Sequence, residues 1–128
     1  MTPVATIRAD LVKLLHTASA SAKIAFDPMT PEEIEEAYII TRLEIRHRDR
    51  QLDMVYYRSA VVTLIAAAKT TADLDALVDA LAATDNQNEG TLRGATLSSI
   101  VYKTDADPDI KTAEVILEAE IVETGGDY

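Results

Sequence analysis

The chain has 128 residues and 48% apolar content, enough for one compact domain to bury a core and too few for two. Its 12 Lys and Arg against 22 Asp and Glu give a net charge of −10, which argues against a DNA-reading protein, since that normally needs a basic footprint. The absence of Cys excludes disulfides, thiolate metal sites and Cys nucleophiles together.

The first residues lack a signal-peptide pattern, which predicts a cytosolic protein. The longest apolar run, Ala60 to Ala68, falls short of the ~20 residues a membrane helix needs. Ile7, Leu11, Leu14 and Leu15 recur at helical spacing and predict a helix from about Pro3 to Ala18, with Thr2 as N-cap and Pro3 at its first position. Lys23 to Phe26 is a short apolar run closed by Pro28. Thr30-Pro31-Glu32-Glu33 then reads as the cap and acidic first turn of a short helical turn.

From Ala37 to Arg48 the period changes to two. Ile39, Thr41, Leu43 and Ile45 are expected on one face, with Arg42, Glu44, Arg46 and Arg48 on the other. A second strand from Met54 to about Ala67 is rich in β-branched residues, and the Asp49 to Asp53 loop predicts an antiparallel hairpin. Thr70 or Thr71 caps the next helix, whose stripe is Leu74, Leu77, Val78 and Leu81 and which ends at the polar run Asp85 to Gly90. Thr91 to Thr104, broken by Gly94, and Lys111 to Val122 are two further strands around an Asp- and Pro-containing turn, and residues 123–128 are expected to be a flexible tail.

These elements predict one α+β domain over residues 1–128, in the order α-β-β-β-α-β-β. The sheet should be mostly antiparallel with both helices packed on one face, leaving Arg42, Arg46, Arg58, Glu114, Glu118 and Glu120 on the other.

Residues suited to chemistry are sparse. His16 and His47 are isolated, with no H-E-x-x-H pairing. Asp105, Asp107 and Asp109 alternate as in a calcium loop, yet Ile110 and Ile116 stand where that loop needs Gly and Glu, so an acidic turn is the better reading. Gly90 and Gly94 precede no Gly-Lys-Ser/Thr, and Ser59, Ser98 and Ser99 lack a G-x-S-x-G setting. Tyr56 and Tyr57 point to opposite faces of their strand and cannot form one stacking platform. No catalytic, metal-binding or cofactor-binding residue is therefore expected, and a small enzyme is disfavoured.

The basic cluster Arg42, Arg46, His47, Arg48 and Arg50 has two readings. It pairs with the chain's own acids, or it contacts an acidic partner such as another copy of this chain. Tyr57 and Arg58 complete the candidate interface on the neighbouring strand.

The arrangement resembles the tail terminator (tail completion) proteins of long-tailed bacteriophages. The resemblance spans nearly the whole chain: the helix at Ile7 to Leu15, the strands around Tyr38 to Leu43 and Tyr57 to Leu64, the helix at Asp73 to Leu81, and a last strand alternating acidic and apolar residues. It implies a non-enzymatic subunit, assembled in the host cytoplasm, that forms a hexameric ring on the head-proximal end of the tail tube. Such a ring ends tube polymerisation and offers a surface to the head connector or stopper protein. DNA passes its channel without specific binding, and no membrane or cofactor is involved. On this reading Arg42, Arg46, Arg48 and Arg50 contact acids of an adjacent subunit or ring. Two alternatives stay open: another phage neck or head-completion protein, and a dimeric α+β domain that binds a small ligand in an apolar pocket.

Overall fold

The structure is a computed structural model that describes residues 2–30, 33–50, 55–103 and 109–122. Of residues 48–50 and 55–57 it describes the backbone and not the side chains. Helix α1 (Val4–Ala18) is followed by β1 (Lys23–Ala25), β2 (Glu36–Arg50) and β3 (Val55–Ala68). Then come α2 (Thr71–Ala82), β4 (Gln87–Glu89), β5 (Leu92–Lys103) and β6 (Lys111–Ile121). The six strands form one mixed sheet in the order β1-β2-β3-β6-β5-β4, antiparallel except where β1 pairs with β2. This is the expected α+β architecture, with β4 as an addition: Gln87 to Glu89 is too short and polar to show strand periodicity.

Both predicted helical stripes are inside. Ile7, Leu11, Leu14 and Leu15 of α1 and Leu74, Leu77, Val78 and Leu81 of α2 join one core cluster with Tyr38, Val62, Leu64, Val115 and Leu117. Burying each such large side chain contributes about 1.5–3 kcal/mol. The helices therefore lie on one face of the sheet. Ala66 and Ala68 on β3 and Ala113 on β6 leave room for them.

The helix starts differ from each other and, in one case, from expectation. Thr70 caps α2 as predicted, its Oγ1 accepting from the Asp73 amide at 3.1 Å. Thr2 does not cap α1. The helix starts at Val4 after Pro3, whose carbonyl accepts from the Thr6 and Ile7 amides. Thr2 is instead buried, and its hydroxyl donates to the Val122 carbonyl at 2.7 Å, tying the start of α1 to the end of β6. The expected helical turn after Thr30 falls partly on residues 31 and 32, which lie outside the described residues, and Glu33 just after them has a 3-10 conformation. The Glu33 amide donates to the Thr30 carbonyl, and the Thr30 amide donates to the Glu33 carboxylate at 3.2 Å.

The alternation expected along β2 is corrected by a bulge. The pairing with β3 slips between Ile40 and Arg42, so Thr41 is an extra residue. Before it Tyr38 and Ile40 face the helices, and after it Leu43 and Ile45 do. Ile39 shares the opposite face with Arg42, and there it forms a second small cluster with Ile34, Ala37 and Ala67, flanked by Met29, Ile65 and Ile110. Met29 and Ile34, from the connection between β1 and β2, thus cover one end of the helix-free face.

Two polar contacts lock the core. Tyr38 donates its hydroxyl to the Leu77 carbonyl at 2.7 Å, which pins β2 to α2; burial pushes its phenol well above the ordinary range. Asp10, buried on α1, accepts from the Thr91 amide at 2.8 Å and the Thr91 hydroxyl at 2.6 Å. Gly90 beside it has φ +54°, and a Cβ there would run into the Asp10 carboxylate, so both conformation and space require glycine.

Candidate assembly surfaces

The open part of the helix-free face carries a charge pattern built by the register. Arg42 stands opposite Thr63 and Arg46 opposite Ser59, so small β3 side chains separate β2 cations from β6 acids. Ser59 pairs in turn with Glu120, and Val61 with Glu118. Arg46 lies 3.3 Å from Glu44 and reaches across β3 to Glu118 at 3.9 Å, while Arg42 lies 3.9 Å from Glu44. All four side chains are a third or more exposed, so each pair is worth no more than about 1 kcal/mol. Pairing with the chain's own acids thus occurs, and it leaves both arginines at the surface. Arg42 is the more open, with 70% of its side chain accessible.

The other candidate residues separate. Arg48 stands opposite Tyr57 and Arg50 opposite Val55 at the far end of the β2–β3 hairpin, where their side chains lie outside the described set. Arg58 is corrected. It pairs with His47 and Ile121, shares the helix side of β3 with Ala60 and Val62, and is only 5% exposed. Its guanidinium donates to the Thr2 carbonyl at 2.6 Å, so it anchors the amino-terminal segment. The signal for this is its strand phase: Arg58 alternates with Ala60, Val62 and Leu64, all of them core residues.

One surface has no counterpart among the sequence-derived candidates. β4 pairs with β5 only at Leu92 and Ala95, so the rest of β5 forms an edge with no strand partner among the described residues. Near its end Ile100, Val101 and Tyr102 are exposed, Val101 to 52%. Desolvation and the nearby carboxylates of Asp75 and Asp79 on α2 push the Tyr102 phenol up. The apolar triplet within an otherwise Ser- and Thr-rich strand is the sequence signal. β1 likewise covers only Ala37 to Ile39 of β2, leaving Arg42 to Arg50 as the opposite edge.

Chemistry finds little to use here. Among the described residues no group of three or more His, Asp and Glu is placed to hold a metal ion, and no helix is long and apolar enough to cross a membrane. His16, in the last turn of α1, and His47 are both exposed. Asp105 and Asp107 lie outside the described residues. An open depression of about 610 Å³ is lined by Ser21, Lys23, Glu33, Glu35, Glu36, Lys69 and Asp73. That lining is polar and of mixed charge, unlike the mostly apolar walls of a small-ligand site.

No family model matches the chain, and no curated protein does. A solved chain from the virion of a native gene transfer agent particle does match in three dimensions, with a TM-score of 0.70 and 10% identity. The match covers 92% of this chain and 96% of that one. The two share a fold over essentially their full lengths.

Proposed function

We propose that this chain is a virion structural protein: a tail terminator subunit that forms a ring on the head-proximal end of a phage tail tube. The observation that carries this reading is the shared fold with a virion component, end to end and without large insertions on either side. The surfaces fit it. A subunit whose two sheet edges differ in chemistry favours head-to-tail contacts, which close into rings when the rotation allows. The ring ends tube polymerisation, docks the head connector or stopper protein, and leaves a channel for DNA. The net charge of −10 suits passage of a polyanion without sticking. The role is structural rather than catalytic.

Tube polymerisation tests it. Tail-tube protein of the same virion, polymerised with and without this chain, is measured for tube length. The proposal expects elongation to stop at tubes carrying the chain at one end. Unchanged tube lengths, with the chain binding portal or connector protein instead, would assign it to another neck component.

A further inference from the structure

The two uncovered sheet edges lie on opposite sides of one sheet, and they complement each other. β2 runs parallel to β6 and antiparallel to β5, because each neighbouring pair in β2-β3-β6-β5 is antiparallel. Repeating the subunit sideways by rotation therefore sets a neighbour's β2 antiparallel to β5, which continues the alternation of the sheet. Beyond the irregularity between Leu97 and Ser99, β5 pairs regularly with β6 up to Lys103. That stretch contains no Pro, and only Lys103 is charged, so the usual devices that blunt an exposed edge are largely missing.

We infer that the β5 edge from Ser99 to Lys103 receives the β2 edge of a second copy of this chain, joining the subunits into one continuous sheet. The inference rests on the ring reading above and names the contact that would build it. On the helix side, Ile100 and Tyr102 meet the neighbour's half-buried Leu43 and Ile45. On the other side, the neighbour's Arg42 and Arg46 approach the row of Glu114 and Glu118 one strand behind β5, where Lys103 of β5 already lies 3.6 Å from Glu114 and leaves both carboxylates exposed.

Reach is sufficient. The distance from a neighbour's β2 to β6 is two strand spacings, about 10 Å. Arg46 already spans two spacings within the subunit when it crosses β3 to Glu118. β1 and β4 do not block the contact. They cover the starts of β2 and β5, which lie at opposite ends of the sheet, so a neighbour shifted along the strands clears both.

Amide hydrogen exchange on the assembled and dissociated protein tests the contact whatever register the two edges adopt. Amides of Ser99–Lys103 and of the β2 stretch after Thr41 should slow by about tenfold or more on assembly. The variant Val101→Lys, altered at a residue exposed in the subunit, should keep a native circular dichroism spectrum and lose assembly. Assembly with both edges exchanging as fast as before would overturn the inference and leave the ring reading standing. Failure of the wild-type chain to assemble even with tail tubes would overturn both.

Discussion

Asp10 is a carboxylate placed inside the molecule, and the balance acting on it makes a pH prediction. Burial pushes its pKa up, but the hydroxyl and amide of Thr91 and the charges of Lys13 and Arg93 outweigh this and hold it below its ordinary 3.8. A carboxylate whose folded pKa lies below its unfolded one stabilises the fold above the unfolded value, and that contribution is lost as pH falls through the folded value. Asp10→Ala should therefore lower stability at pH 7 by about 1–3 kcal/mol, because the Thr91 donors are left buried without their acceptor. Urea unfolding at several pH values checks this: the gap between wild type and variant should narrow below about pH 4. Arg58 makes a second prediction at this scale. Its removal in Arg58→Ala strips the Thr2 carbonyl of a buried charged donor and should cost about 2 kcal/mol, with amide exchange accelerated first in the opening turn of α1. A variant as stable as wild type, with an unchanged exchange pattern, would contradict the anchoring role.

At the scale of elements, the exposed arginines on β2 should matter little for folding. Arg46→Ala removes two surface pairs and should change the thermal midpoint by no more than a few degrees. The paired reversals Arg42→Glu and Arg46→Glu should likewise leave circular dichroism native, yet abolish assembly by setting like charge against a neighbour's acids; rings of unchanged yield would sink that assignment. The same elements show what the sequence makes legible. Helices α1 and α2 declare themselves because one uninterrupted stripe maps onto one buried face. Strand β2 does not, since the bulge at Thr41 exchanges its faces midway and a period-two reading carries straight through it. Thr2 looks like a cap because it precedes Pro3, but its hydroxyl bonds the Val122 carbonyl, and no local pattern reports a contact 120 residues away. Arg58 misleads for a related reason: residue type suggests solvent, while its phase with Ala60 and Val62 indicates the core.

For the whole molecule, the candidate surfaces are only half legible in the sequence. The basic β2 edge stands out because its charges cluster. The β5 edge is defined by what is missing beside it, a strand partner, and so requires the topology. A ring of subunits each bearing −10 must overcome mutual repulsion. Arginines of one β2 edge brought near the Glu114 and Glu118 row behind a neighbour's β5, with apolar contacts on the helix side, provide a way to do so. The most direct test of the central claim is negative-stain imaging of tail tubes incubated with the purified chain. Ring-shaped density capping one end of each tube, and absent from the other end and from the walls, is the predicted result. Tubes bare at both ends, beside a chain that stays free in solution, would contradict it.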